Sequence, residues 1–275
     1  MTERGRQTLA GVSAVLSGAG LHSGVGVSVR LLPAPSGSGL VFRRQSDGQE
    51  ISALAANVSD TSRCTRLKAG DFEVQTVEHL LSALAGLRID DAVIEIDGLE
   101  VPALDGSAAP FAALVQETNT RAYAEPVQPL RLSQPVFVSE GGSTLIALPS
   151  DRFSATVVLD YPRQTYLGTQ AALFDDASGD YAGQVAPART YGFLSEIEAL
   201  QAAGLGLGAS RDNAVVLGET GYETPLRFPN ELARHKLLDL MGDLALAGRP
   251  VQAEVFAVKP GHTLNVRLAR LLSEL

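Results

Sequence analysis

The order of the predicted secondary-structure elements occurs twice along the chain, and this repeat constrains the fold more than any single motif does. In the first half, two stretches rich in Val and Leu, Thr8–Leu16 and Gly26–Leu32, are typical of strands. Thr76–Leu87 then has apolar residues at helical spacing. A strand at Asp91–Ile96 follows at once, and a turn leads into a helical stretch at Ala108–Gln116.

The second half has the same order of elements. Leu130–Val138 and Thr144–Leu148 are typical of strands, and two adjacent glycines separate them. A long helix is predicted over Glu231–Ala247, a strand over Val251–Val258 and a closing helical stretch over Leu264–Leu272. Each half therefore presents two strands, a helix, a further strand and a shorter helix.

The repeat predicts an α+β fold of two domains with like topology, each a β-sheet layer packed on helices. Two prolines between residues 122 and 129 interrupt the pattern, so we place the domains at residues 1–125 and 126–275. The alternative is that an ordinary α+β chain alternates in this way without an internal repeat. If the repeat is real, a site at the interface of the domains can draw one histidine from each half.

Composition narrows the classes of partner and compartment. The formal net charge is −9, which argues against nucleic acid or an anionic membrane as a partner. Cys64 is the single cysteine, so an intrachain disulfide and a Cys-rich zinc site are both excluded. No apolar run approaches the roughly 18 residues that span a bilayer. We expect a cytoplasmic monomer without a transmembrane segment; a signal peptide around Leu9–Leu16 is the alternative.

Histidine is scarce, and its neighbours point to metal chemistry. His235 and Asp239 are four residues apart on the second long helix, and Asp243 is four further, so the three side chains share one flank. A His–Asp pair at this spacing can supply two zinc ligands. The first long helix offers His79 as a third ligand, with Glu78 placed to reach a water molecule beside the metal.

Each of these residues also has an ordinary interpretation. A His–Asp pair four apart on a helix is most often a surface pair worth a few tenths of a kcal/mol. The HExxH protease signature is absent, because Glu78 precedes its histidine. His262 follows a predicted strand in KPGH, where a histidine serves either as an acid/base group or as a turn residue. Asp243 on an apolar helix needs a partner or a function.

Several strings together resemble one family, the UDP-3-O-acyl-N-acetylglucosamine deacetylases (LpxC). In chain order they are GAGLHSG, TVEHLLSALAGL, EVPALDGSAAPF, ARTYGF, GLGLGAS, LRFPNELARHKLLDLMGDL and KPGHTLN, and they extend from about residue 8 to residue 268. The resemblance implies two α+β domains with the active site between them. It also implies zinc-dependent removal of the N-acetyl group from a UDP-linked, acylated N-acetylglucosamine, an early step of lipid A biosynthesis.

The resemblance also implies a role for each matching residue. His79, His235 and Asp239 would ligate zinc, for which iron(II) is an alternative. Glu78 would be the general base, and Thr190 would stabilise the oxyanion together with the metal. His262 would protonate the leaving amine, with Asp243 holding its imidazolium.

Four further residues would contact substrate: Lys236 and Lys259 the diphosphate, Tyr161 the uracil, and His22 an unspecified part. An insert at about residues 160–190 would form the acyl-chain passage, although its segment DDASGDYAGQVAP looks less helical and less apolar than the family pattern. Cys64 matches a position near the pocket rim, and a small buried apolar residue is the alternative. Two other functions stay open: a zinc amidohydrolase of the same fold acting on another N-acetylated sugar nucleotide, and a non-catalytic nucleotide-sugar binding protein.

Overall fold

A computed structural model describes residues 4–162, 164, 166–177 and 179–275. The first half forms two helices and ten strands over the described residues. They are β1 Gly5–Leu9, β2 Leu16–Ala19, β3 Gly26–Pro33, β4 Leu40–Arg44, β5 Glu50–Ser52, β6 Val58–Asp60, β7 Arg66–Ala69, β8 Phe72–Gln75, α1 Glu78–Gly86, β9 Ala92–Ile96, α2 Ala109–Thr118 and β10 Thr120–Pro126.

The second half adds four helices and eight strands, again over the part of the chain that is described. They are β11 Leu130–Arg131, β12 Val136–Glu140, β13 Ser143–Pro149, β14 Ser154–Asp160, β15 Thr169–Asp175, α3 Tyr181–Gln184, β16 Tyr191–Phe193, α4 Ile197–Ala202, β17 Val215–Leu217, α5 Glu231–Ala245, β18 Val251–Val258 and α6 His262–Ser273. None of the helices in these described ranges is long and apolar enough to cross a membrane.

The main sheets of the two halves have the same topology. The first has the order β2-β3-β9-β4-β5 and the second the order β12-β13-β18-β14-β15. In each sheet the central strand, β9 or β18, is antiparallel to one neighbour and parallel to the other, and both outer pairs are antiparallel. A long helix precedes each central strand and another helix follows it. The predicted α+β fold with two halves of like topology is confirmed.

Helices α1 and α5 pack against each other between the halves, and this contact positions the functional side chains. Both helices are buried around nearly their whole circumference, as their apolar sequences predict. Gly242 permits the close approach, because a Cβ atom there would overlap the backbone carbonyl of Glu78. The hydrophobic core is continuous across the two halves.

Two predicted strands differ from the structure. The stretch predicted as Thr8–Leu16 divides into the end of β1 and the start of β2, because β1 pairs with β10 while β2 pairs with β3. Ser13 lies in the connection, where its hydroxyl accepts a hydrogen bond from the Leu31 N–H. The stretch predicted as Leu130–Val138 likewise divides into β11, which pairs with β18, and β12, which pairs with β13. Pro135 precedes β12 and has no N–H to continue a ladder.

Two additions to the repeated plan were not predicted. Strands β6, β7 and β8 form a separate antiparallel sheet, and the parallel pair β16–β17 encloses α4 in a small β-α-β unit at residues 191–217. The segment 160–190, predicted as the substrate insert, contains β15 and α3; residues 163, 165 and 178 of it lie outside the described residues. The role of that segment, and the domain boundary at residue 125, stay predictions.

Candidate metal centre and active site

His79 of α1 meets His235 and Asp239 of α5 at the centre of the contact between the two halves. The possible ligand atoms of these three buried residues lie within 4.8 Å of one another. Asp239 Oδ1 is 3.6 Å from His79 Nε2 and 3.4 Å from His235 Nε2. One helical turn separates His235 from Asp239, so their closeness follows from their spacing, whereas His79 arrives through the packing of α1 on α5.

Hydrogen bonding and charge prepare these atoms for a cation. Asp239 Oδ1 is buried without a hydrogen-bond partner among the described residues, which is costly for a carboxylate unless a cation binds. His235 Nδ1 lies 3.1 Å from the Ala188 carbonyl, to which it can only donate, so Nε2 is left with its lone pair. Burial lowers the pKa of His235, and burial together with His235 lowers that of His79 to about 3. Two neutral imidazoles and one carboxylate fit zinc or iron(II).

Lys236 holds the other oxygen of the aspartate. Its Nζ donates to Asp239 Oδ2 at 2.8 Å and lies 5.6 Å from the centre of the Tyr191 ring. Burial alone would raise the pKa of Asp239, but His235 and the Lys236 ammonium lower it. Asp239 is therefore anionic at neutral pH.

A second group of buried polar residues lies beside the three possible metal ligands. His262, at the start of α6, contacts Asp243 Oδ2 through Nδ1 at 2.9 Å, and its Nε2 lies 3.9 Å from Asp239 Oδ2. Asn265 Nδ2 also donates to Asp243 Oδ2, and the Thr65 hydroxyl donates to Oδ1 at 2.6 Å. Burial alone would lower the pKa of His262, but the Asp243 carboxylate raises it to about 9. His262 is therefore cationic at neutral pH, so it has a proton that it could donate.

Glu78 is a buried carboxylate suited to accepting a proton. It is 3% exposed and lies next to His79 at the start of α1. Burial raises its pKa to about 7; His262 opposes this rise, while Asp243 and Asp239 add to it. A base with a pKa near the working pH combines a large ionised fraction with useful basicity.

One cavity of about 450 Å³ is lined by the three possible metal ligands together with Glu78, Lys236 and His262. Its wall also includes His22, Thr190 and Lys259, which the sequence predicted. Neither ring nitrogen of buried His22 has a hydrogen-bond partner among the described residues. Backbone hydrogen bonds fix Thr190, whose N–H donates to Gly106 O and whose carbonyl accepts from Val215 N, each at 2.8 Å. Lys259 Nζ is 3.5 Å from Asp160 Oδ2 and is partly exposed.

The remaining two residues predicted near the site, Tyr161 and Cys64, are not among the described residues that line the cavity. Tyr161 reaches the cavity through a hydrogen bond of 2.7 Å between its hydroxyl and that of Tyr191, which lines the wall. Cys64 is buried, and burial together with Glu78 raises the pKa of its thiol to about 12, so it is inert at neutral pH. Its place in the structure agrees with the small, buried apolar role.

The chain resembles known deacetylases over almost its whole length. A sequence model of the family described as LpxC, UDP-3-O-acyl N-acetylglycosamine deacetylase, matches residues 6–274. The UDP-3-O-acyl-N-acetylglucosamine deacetylase of Myxococcus xanthus is 43% identical over 261 residues, which is 94% of this chain and 83% of that protein. This chain belongs to the LpxC family. Two further UDP-3-O-acyl-N-acetylglucosamine deacetylases are similar to this chain. That of Anaeromyxobacter sp. is 45% identical over 258 residues, which is 92% of this chain and 84% of that protein. That of Leptospira biflexa is 41% identical over 264 residues, which is 94% of this chain and 87% of that protein.

Sequence reasoning missed three residues of this LpxC-family site. Asn265 lies three residues after His262 on α6, inside KPGHTLN, and this helical spacing is a signal that could have identified it. Tyr191 lies next to Thr190 within ARTYGF. Thr65 has no comparable signal, because 178 positions separate it from Asp243 and 197 from His262.

Proposed function

We propose that this LpxC-family protein hydrolyses the N-acetyl group of UDP-3-O-acyl-N-acetylglucosamine, giving acetate and UDP-3-O-acyl-glucosamine, in the lipid A pathway. One observation carries the proposal. The cavity contains two neutral imidazoles and a carboxylate, one oxygen of which has no partner among the described residues, directly beside a basic carboxylate and a cationic imidazole. Amide hydrolysis requires this combination of an electrophilic cation, a base and an acid.

The metal that we propose is zinc, with iron(II) as the alternative, and its ligands are His79, His235 and Asp239. When bound, such an ion supplies Lewis-acid chemistry, polarising the substrate carbonyl and bringing the pKa of water to about 7. The donor set of two nitrogens and one oxygen supports this assignment, since three protein ligands leave a coordination position open for chemistry.

The protein residues divide the proton transfers between them. Glu78 removes a proton from the attacking water as its oxygen bonds to the acetamide carbon. The Thr190 hydroxyl donates a hydrogen bond to the carbonyl oxygen as negative charge develops there. His262 then gives its Nε2 proton to the sugar nitrogen as the carbon–nitrogen bond breaks, and Asp243 stabilises the imidazolium until then.

The substrate contacts that we propose follow from charge and shape. Lys236 and Lys259 bring positive charge to the cavity wall of an acidic protein, which suits a diphosphate. Lys259 is the more available of the two, since Lys236 is hydrogen-bonded to Asp239. The two ring nitrogens of His22, which have no partner in the described part of the chain, are available to sugar hydroxyl groups. Tyr161 stays our prediction for stacking on uracil, with Tyr191 placed between it and the metal ligands.

The compartment and the oligomeric state of the protein are argued from other features of the chain. The single buried thiol of Cys64 fits a reducing compartment, which supports our proposal that the protein acts in the cytoplasm. A monomer also stays our prediction, because both halves of the site come from one chain.

The experiment measures release of free amine and acetate from UDP-3-O-acyl-N-acetylglucosamine by the zinc-loaded protein, with Glu78→Ala as the control. We expect turnover in the native protein, and loss of most of it in the variant, with zinc retained. Zinc binding without turnover would reject this substrate, and the same assay with other N-acetylated sugar nucleotides would then identify a different amidohydrolase. Loss of zinc together with activity in Glu78→Ala would remove the support for Glu78 as the base.

A further inference from the structure

Thr65 is a buried residue that contacts both proton-transfer groups of the site. It immediately precedes β7 and is 0% exposed. Its backbone N–H donates to Glu78 Oε2 at 3.0 Å, and its side-chain hydroxyl donates to Asp243 Oδ1 at 2.6 Å. Thr65, in the first half, is thus hydrogen-bonded both to Glu78 of the same half and to Asp243 of the second half. Asp243 in turn contacts His262.

The direction of the side-chain hydrogen bond is fixed by its partners. The Thr65 hydroxyl donates to Asp243 Oδ1, just as Asn265 donates to Oδ2, so the carboxylate accepts through both of its oxygens. The same hydroxyl oxygen lies 3.4 Å from His262 Nδ1, the nitrogen that also faces Asp243. Thr65 therefore occupies the corner between the aspartate and the imidazole.

The hydroxyl completes the set of donors that orient the carboxylate. His262 and Asn265 contact Oδ2, and Thr65 contacts Oδ1. Without the hydroxyl, Oδ1 keeps no hydrogen bond among those described, and the carboxylate is free to rotate about its Cβ–Cγ bond. The imidazole would follow, because its Nδ1 is hydrogen-bonded to this carboxylate. The Nε2 atom would then move away from its position 3.9 Å from Asp239.

We propose that Thr65 is a positioning residue that sets the relative geometry of the base Glu78 and the acid His262 across the two halves. Its backbone N–H fixes the carboxylate of Glu78, which removes a proton from water. Its hydroxyl fixes Asp243 and, through it, His262, which gives a proton to the leaving amine. The proposal rests on the proposed function, because the base and acid roles do.

The test compares Thr65→Val with Thr65→Ser in the zinc-loaded protein. Valine has nearly the shape of threonine and lacks the hydroxyl, while serine keeps the hydroxyl, and both keep the backbone N–H that holds Glu78. Thr8→Val is the matched control, since Thr8 is also fully buried and its hydroxyl accepts a hydrogen bond from the Ala34 N–H outside the site. The measurements are kcat, KM, zinc content and the Nδ1–H proton resonance of His262, assigned by its absence in His262→Gln.

For Thr65→Val we expect kcat to fall by about 10- to 100-fold with little change in KM or zinc content, as is typical when support of a catalytic group is removed. The His262 resonance should shift or broaden. The kcat of Thr65→Ser should be at least about tenfold higher than that of Thr65→Val, and its His262 resonance should be at the native position. Thr8→Val should have the native kcat and the native His262 resonance.

Two results would overturn the proposal. One is a native kcat and a native His262 resonance in Thr65→Val; the other is an equal loss in the valine and serine variants, which would indicate a packing role. If the native protein shows no turnover of the substrate, the proposed function fails, and the resonance alone then decides whether Thr65 orients His262.

Discussion

Replacing Asp243 by asparagine separates the charge of this residue from its shape. Asp243 is fully buried and contacts His262, Asn265 and Thr65. Asparagine has the same size and keeps one oxygen acceptor, so the variant mainly removes the negative charge beside the imidazole. We expect the variant to fold and to retain zinc, because Asp243 is not one of the three ligands.

The pKa values of His262 set the size of the effect. The Asp243 carboxylate raises the pKa of His262 from 6.5 to about 9, against the opposing effect of burial. Without that charge the pKa of His262 should fall, because burial lowers it and only Glu78 and Asp239 still raise it. With a pKa of about 9, His262 is almost wholly protonated at about pH 7.5, and the variant should have a smaller protonated fraction at this and every higher pH.

The assay is the pH dependence of kcat/KM for the native protein, Asp243→Asn and the exposed-carboxylate control Asp212→Asn. Activity requires protonated His262, so it is lost as the pH rises through the pKa of that group. The alkaline limb should lie at least one pH unit lower in Asp243→Asn than in the native protein and the control. An unchanged alkaline limb would refute the assignment of His262 as the acid charged by Asp243.

The contact between His262 and Asp243 also contributes to the stability of the fold. The pH dependence of this contribution can be measured by unfolding the metal-free protein. A pKa raised in the folded state stabilises the protein fully below the unfolded value of 6.5 and ceases to do so as the pH rises through about 9. At about 1.36 kcal/mol per pKa unit, the contribution below pH 6 is about 3 kcal/mol. The difference in unfolding free energy between the native protein and Asp243→Asn should therefore shrink between pH 6 and pH 10.

Three further variants test the metal ligands, the oxyanion contact and the helix packing. Asp239→Ala should lower zinc affinity by at least about 100-fold, measured by competition with a chelating dye, because it removes one of three ligands. Thr190→Val should lower kcat by about 100-fold while zinc content stays native, because it removes one donor to the developing oxyanion. Gly242→Ala should destabilise the fold by about 1–3 kcal/mol or more in thermal unfolding and also weaken zinc binding, because the added methyl group pushes α5 away from the Glu78 backbone. Gly221→Ala, where a Cβ atom meets nothing within 4 Å, is the matched control.

Each of these predictions can fail in a distinct way. Native zinc affinity in Asp239→Ala would remove that residue from the ligand set. A native kcat in Thr190→Val would show that its hydroxyl makes no contact with the developing charge. Native stability and zinc affinity in Gly242→Ala would mean that α1 and α5 can separate without cost to the site.

The repeat of elements could be predicted from the sequence because hydrophobic periodicity is local. Helices α1 and α5 and the central strands lie close to their predicted positions, and their order established the two halves. The ends of the strands near Leu9 and Pro135 were predicted less accurately. There the chain changes from one pairing partner to another, and strand pairing across the fold decides where each strand ends.

The candidate site likewise contains some residues that local spacing could identify and others that only the packing of distant segments brings together. His235, Asp239 and Asp243 share a flank of one helix, so their spacing alone indicated a common site. His79 could be associated with them only through the repeat and the family resemblance. Thr65 and the Ala188 carbonyl could not be found at all, because their contacts arise from packing between segments that are distant in the chain.

The most direct test of the central claim is a zinc titration of metal-stripped protein in which bound zinc and amine release are measured on the same samples. We expect turnover to be absent in stripped protein and to rise linearly with bound zinc. Full activity should be reached at one tightly bound ion per chain, and tight binding should be lost in Asp239→Ala. Full turnover in the stripped protein, or tight binding that survives loss of Asp239, would contradict the claim that His79, His235 and Asp239 hold the catalytic metal.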